Sequence, residues 1–130
     1  MDEMPIMRFL GIRIDVPRDD DVYVAELDVT PETLNSLEIV HGAAIAALID
    51  HAGGYGAHAL TGRGGPTSDM HIRYLGSARE GSVLRAESRV QRAGRTLIVM
   101  EVRVTDQDGR LIALGDLALA PADNEPASLT

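Results

Sequence analysis

The run from Asn35 to Leu60, NSLEIVHGAAIAALIDHAGGYGAHAL, constrains this chain more than any other stretch. From about His41 onward it is apolar and rich in small residues, long enough for a helix of about five turns. Its only acid beyond that point is Asp50, and no other charged side chain lies between Glu38 and Arg63. Burying a carboxylate without a partner is costly. Asp50 therefore lies on a polar stripe in water, is held by a structural hydrogen bond, or is kept for chemistry. The lack of any other charge argues against the stripe. Gly53, Gly54 and Gly56 each cost about 0.5–1 kcal/mol relative to Ala in a helix interior. Their clustering predicts that another backbone comes close there, or that the helix ends or bends early. Ala43, Ala44, Ala46 and Ala47 keep the first turns equally slim. A helix of this kind suits being wrapped tightly by a curved sheet.

The flanking segments supply that sheet. GIRIDV alternates apolar and polar residues, with Ile12, Ile14 and Val16 on one face. A charged turn over 17–21 leads into VYVAELDV, with Val22 and Val24, and Leu27 or Val29, expected inward. The two runs read as a hairpin. Residues 4–10 fit a short helical turn after Pro5, and Thr30-Pro31-Glu32-Thr33 fits a single capped turn. After the loop TGRGGP come four strand-like runs near 67–75, 82–91, 96–105 and 111–119. In the second, Leu84, Ala86, Ser88 and Val90 share a face. In the third, Ile98, Met100, Val102 and Val104 do. Ala93-Gly94 and Asp108-Gly109 mark hairpin turns. The expectation is an α+β domain over 1–120, a mainly antiparallel sheet of about six strands with one long helix on one face. The last four strands are expected to form a meander, and the tail 121–130 to fray.

Composition narrows the functions. The 130 residues fit one domain with a real core. The net charge is −8 and every cation is Arg, which argues against nucleic-acid binding through a broad basic surface. With no Cys, thiolate metal sites and a Cys nucleophile are excluded. No uninterrupted apolar run reaches membrane-spanning length, and MDEMPIMRFLG does not read as a signal peptide. A cytoplasmic location is the expectation. His51 and His58, with His71 as the one obvious third ligand, make a poor metal set, so no metal or cofactor is expected.

The start of the helix offers chemistry. If it begins near His41-Gly42, the first backbone N–H groups lack helical partners and sit in the positive end of the dipole. Gly42 has no side chain, so an acyl carbonyl oxygen can approach its N–H, as an oxyanion site requires. An ordinary helix start with a tolerated glycine fits that residue equally well. Gly42 and Asp50 are eight residues apart, or about 12 Å along the axis at 1.5 Å per residue. A nucleophile or base must come within about 3–3.5 Å of the carbon it attacks. One chain cannot bring both groups to one substrate. If both are catalytic, they come from different subunits, and a two-fold dimer with two sites follows.

Asn35, His41-Gly42 and Asp50 resemble, in spacing, the N-x5-H-G-G-x6-D signature of hotdog-fold acyl-CoA thioesterases of the phenylacetate-pathway (PaaI-like) type. LGIRI, TSDMHIRYL and RAGRTLIVMEVRVTDQDGRLIALGDLAL resemble the family's strands, so the likeness extends over most of the chain. It implies a hotdog fold, acyl-CoA hydrolysis, and a homodimer or a homotetramer built from two dimers. By position, Gly42 would offer its N–H to the thioester carbonyl, and Asn35 would hold the attacking water or the carbonyl. Asp50 of the partner subunit would be general base or nucleophile, Thr67 would assist it, and His41 would hold the loop before the helix. Arg73, Arg92 and Arg95 are candidates for the coenzyme A phosphates. The chain departs from the family pattern at Ala43, at Glu38 where a glycine is usual, and at Gly76-Ser77-Ala78. A non-catalytic acyl-CoA-binding hotdog domain is the alternative. A hydratase would call for a different acid–histidine motif, which is absent.

Overall fold

The structure is a computed structural model that describes residues 4–15 and 21–121. The expected turn over 17–21 and the tail over 121–130 lie outside the described residues, apart from Asp21 and Pro121, and so does Val16. The elements run α1 (Pro5–Leu10), β1 (Ile12–Asp15), β2 (Tyr23–Asp28), a 3-10 turn (Pro31–Thr33), α2 (Gly42–Thr61), β3 (Thr67–Tyr74), β4 (Val83–Ala93), β5 (Ile98–Thr105) and β6 (Leu111–Leu119). All neighbouring strands are antiparallel. This is the hotdog arrangement, one long helix held by a six-stranded sheet.

The strand order, β1-β2-β4-β5-β6-β3, corrects the expected four-strand meander. Only β4, β5 and β6 run as one. β3 crosses to the far edge and pairs with β6. Alternation along a strand reports which face is buried but not which neighbour it takes, so the crossing left no mark in the sequence. β3 is also unusual in burial. Seven of its eight residues are exposed and Ile72 is half-buried, as fits an edge strand with one partner.

The first hairpin differs from expectation in its faces. Tyr23, Ala25 and Leu27 turn to the core with Ile12. Val24 is buried as well, but by alternation on the opposite face. Ile14 stays 54% exposed, because β1 is the other free edge. In the central strands the alternation gives the core directly: Leu84, Ala86 and Ser88, then Ile98, Met100, Val102 and Val104, are fully enclosed.

α2 neither ends early nor bends at its glycines; it is helical from Gly42 to Thr61. Side chains of the sheet, rather than another backbone, press on it. A Cβ at Gly53 would sit 2.8 Å from Leu117 Cγ, and one at Gly56 would sit 2.7 Å from Ser88 Oγ. At Gly54 the nearest atom would be Leu119 Cδ2 at 3.9 Å, an ordinary contact. The two kinds of glycine should separate on mutation. Gly54→Ala is expected to raise stability by about 0.5–1 kcal/mol through helix propensity. Gly53→Ala is expected to lose about 1–3 kcal/mol to overpacking. Urea unfolding of the two variants checks this, and equal shifts would show that the sheet does not press on α2 at Gly53.

Candidate active site

The start and the middle of α2 carry the sequence-derived candidates. At the N-terminal end, Asn35 organises the approach. Its Oδ1 accepts from the N–H groups of Leu37 (2.9 Å) and Ile39 (3.3 Å), an Asx-type turn. The turn forces Glu38 to φ 62°, the left-handed region. That explains why glycine is usual here in the resembling family: any other residue bears a backbone cost of about 1–2 kcal/mol. Asn35 thus spends its side-chain carbonyl on the loop, which leaves its amide group as the part able to meet a ligand.

His41 is the N-cap of α2. Its backbone N–H donates to the Thr33 carbonyl at 2.7 Å, and its Nδ1 accepts from Ala43 N–H at 2.9 Å. The His41 carbonyl accepts from the N–H groups of Ala44 and Ile45. Of the first four helical N–H groups, those of Ala43, Ala44 and Ile45 are therefore engaged. The Gly42 N–H has no acceptor among the described residues. It is a donor left open at the positive end of a 20-residue helix. Tyr74 lies over it: the phenol donates to the Gly42 carbonyl at 3.1 Å, and a Cβ at Gly42 would meet the ring at 3.4 Å.

Two turns further on, Asp50 is exposed rather than buried within its own chain. Its Oδ1 accepts from the Thr67 hydroxyl at 2.7 Å. Thr67 opens β3, so this bond joins the helix to the edge strand. The second carboxylate oxygen has no partner among the described residues. The helix is continuous between Gly42 and Asp50, so the two groups stay about 12 Å apart along one axis. The structure joins Asp50 to Thr67 and sets the His41 cap beside Gly42, while Asn35 bonds within the loop that precedes them; it does not bring Asp50 and Gly42 together within the chain.

A cavity of about 460 Å³ adjoins the carboxylate. Asp50, His51, Gly54 and Thr67 line one side, and Met4, the residue before α1, with Met7 and Leu10 of α1 line another. The short N-terminal helix thus closes an apolar chamber against α2, held there by the burial of Met7 and the contact of Tyr55 Oη with Met4 Sδ. Nothing in the six residues of α1 indicates what they cover. His51 is buried in this wall at 7% exposure. Burial lowers its pKa to about 4, outweighing the pull of Asp50 in the other direction. His58 and His71 are exposed, and among the described residues no three metal-ligating side chains converge.

The candidate arginines divide. Register places Thr67 opposite Leu119, Leu119 opposite Ile98 and Ile98 opposite Ala93, so the turn carrying Arg92 and Arg95 lies at the Asp50–Thr67 end of the sheet. Arg73 pairs with Leu114, five residues along β6, at the Gly42–Tyr74 end. All three are exposed. Arg63, which sequence reasoning left in a loop, donates to the carbonyls of Gly94 (2.9 Å) and Arg95 (2.7 Å) and pins that turn to the C-terminal end of α2.

Comparison with known proteins places this geometry. Residues 37–113 match the model of the Thioesterase superfamily. Human acyl-coenzyme A thioesterase 13 is 33% identical over 95 residues, 71% of this chain and 67% of that protein. A hypothetical thioesterase of Streptococcus pneumoniae TIGR4, solved with coenzyme A, has a TM-score of 0.80 at 27% identity, covering 90% of this chain and 91% of that one. That protein was also solved with an aspartate, and separately with a threonine, changed to alanine. The E. coli PaaI protein shares the fold, with a TM-score of 0.82 at 24% identity over 90% of this chain and 83% of that one. With the family model spanning more than half of its length, the chain belongs to the Thioesterase superfamily, and it has the hotdog fold of the solved thioesterases.

Proposed function

We propose that this thioesterase hydrolyses acyl-CoA to free acid and coenzyme A at sites shared between subunits. Each site joins Asp50 and Thr67 of one subunit to the partner subunit's Gly42. The observation that carries this reading is the placement, on one stiff helix, of an open first amide and a Thr67-bonded carboxylate too far apart to serve one carbonyl. A two-fold axis beside α2 and the exposed β3 edge resolves the separation twice over, because antiparallel helices set each amide against the other's acid. Human acyl-coenzyme A thioesterase 13 and the coenzyme A complex of the S. pneumoniae protein support the substrate class. The aspartate and threonine chosen for replacement in the latter are the residue types that meet here.

In this mechanism the thioester carbonyl oxygen rests against the Gly42 N–H, which stabilises the oxyanion that develops on attack. The acyl group enters the chamber between α1 and α2. With Asp50 as general base, its free oxygen takes a proton from water and the hydroxide adds to the carbonyl carbon. The C–S bond then breaks, and the proton passes to the leaving thiolate. With Asp50 as nucleophile, the carboxylate itself displaces the thiolate, and water then hydrolyses the mixed anhydride. Borohydride trapping during a single turnover, followed by mass analysis, separates the two, since only the second route acylates Asp50. Thr67 holds Oδ1 and so aims the other oxygen. The amide group of Asn35 would hold the carbonyl or the water. Arg92 and Arg95 would meet the coenzyme A phosphates, joined across the dimer by Arg73 of the partner subunit. The minimal assembly is a homodimer, and a homotetramer would pair two of them.

Asp50→Asn is expected to lower kcat by about 10²–10⁴-fold while the melting temperature holds. Thr67→Val should cost about 10–100-fold and Thr67→Ser much less, because only the hydroxyl is needed. Release of coenzyme A thiol from a panel of acyl-CoAs measures both. Binding without thiol release by the unaltered protein would instead mean an acyl-CoA-binding domain.

Gly42→Pro isolates the amide. Proline suits the first helical position, and His41 at φ −71°, ψ 139° already has the conformation that precedes proline. The variant should fold, yet lose about 10²–10³-fold in kcat with the N–H gone. Gly42→Ala keeps the N–H and should lose far less. Equal rates in the two variants would remove the amide from the mechanism.

A further inference from the structure

The C-terminal end of α2 is built to hold the turn between β4 and β5. Thr61 closes the helix: its hydroxyl donates to the Ala57 carbonyl at 2.6 Å and accepts from the Arg63 N–H at 3.1 Å. Gly62, at φ 76°, turns the chain in the left-handed region that glycine adopts freely. Arg63 leaves this corner half-buried, and both arms of its guanidinium are engaged. Nη1 donates to the Gly94 carbonyl at 2.9 Å, and Nη2 donates to the Arg95 carbonyl at 2.7 Å. A charge-assisted fork of this kind fixes orientation as well as position.

The fork also decides where the turn's amides point. Every peptide among the described residues is trans, so the N–H that follows each carbonyl points the opposite way. With the Gly94 and Arg95 carbonyls drawn onto Arg63, the N–H groups of Arg95 and Thr96 face away from it. Neither has an acceptor among the described residues. Arg92 and Arg95 are exposed on the same turn, and Arg92 Nε lies 3.5 Å from where a Cβ at Gly94 would stand. In a chain of net charge −8, none of these three arginines pairs with a carboxylate among the described residues. Guanidinium groups gathered without an acid repel one another. Adjacent open amides flanked by cations are matched by an anion that offers several oxygens.

We propose that Arg63 is a positioning residue for coenzyme A, holding the turn so that the Arg95 and Thr96 amides join the Arg92 and Arg95 side chains on a phosphate of the nucleotide half. This inference rests on the reading above that these two arginines meet the coenzyme A phosphates. Arg63 itself stays on the two carbonyls. It removes the freedom of the turn before binding, so its contribution falls on affinity and not on the chemical step.

The test compares the best acyl-CoA of the panel with the S-acyl pantetheine that carries the same acyl group, which lacks the nucleotide and every phosphate. With the unaltered protein, KM for the pantetheine thioester is expected to be about 10-fold or more above that for the acyl-CoA. Arg63→Gln should raise KM for the acyl-CoA by about 5–20-fold and hold kcat within about twofold, while both constants for the pantetheine thioester stay as they were. Arg63→Lys keeps the charge but not the fork, and its KM should fall between the two. Should Arg63→Gln melt below the assay temperature, Arg63→Lys carries the comparison. An unchanged KM for the acyl-CoA, or an equal rise on both substrates, overturns the inference and leaves hydrolysis at the shared site standing. Equal KM values for the two substrates in the unaltered protein do the same. Failure of the unaltered protein to release thiol from either substrate overturns the hydrolytic reading, and the inference falls with it.

Discussion

The stiffness of α2 governs this molecule. A continuous helix fixes the open amide of Gly42 and the carboxylate of Asp50 about 12 Å apart, and no loop motion can close that distance. Each group is then locked to a different part of the sheet's edge strand. Tyr74 covers Gly42, and Thr67 grips Asp50, so β3 runs as a brace from one group to the other. Helix and brace together hold the two groups along one exposed edge. In the proposed mechanism, catalysis is a property of an assembly.

The core is arranged to keep that helix straight. Small residues thin α2 until the sheet closes on it, with Leu117 and Ser88 in the places a Cβ would take at Gly53 and Gly56. Intrinsic helix propensity is given up for this, and close packing repays it. Costs of a second kind gather at the site. Glu38 holds a left-handed backbone, the Gly42 N–H is left open, and His51 buries two unmatched nitrogens. Local departures of this kind concentrate at functional positions, where the surrounding fold supports them.

Much of the architecture was legible in the chain because it follows local rules. The start and rough length of α2 can be read from its small apolar run, although its glycines pointed to a close backbone, an early end or a bend that the structure does not have. The inner faces of β4 and β5 can be read from strict alternation. The candidate site was legible wherever motif spacing fixed positions along one helix, as for Gly42 and Asp50. Relations across the chain were not. Nothing local says that β3 crosses to pair with β6, or that Tyr23 and Ala25 rather than Val24 meet the core cluster. The chamber arises only when α1 folds over α2, so the part played by Met4, Met7 and His51 had no signature. Arg63 reads as a loop residue until its guanidinium is seen holding two carbonyls thirty residues away.

The shared site can be tested by mixing two inactive proteins. Asp50→Asn and Gly42→Pro are each prepared alone, then combined in equal amounts under conditions that let subunits exchange. If acid and amide belong to different chains, every mixed dimer regains one intact site. Thiol release should then climb to roughly a quarter of the unaltered rate, since about half of the dimers are mixed and each has one working site of two. Activity that stays at the sum of the separate variants, despite exchange verified by mass, would place both groups in one chain and contradict the account.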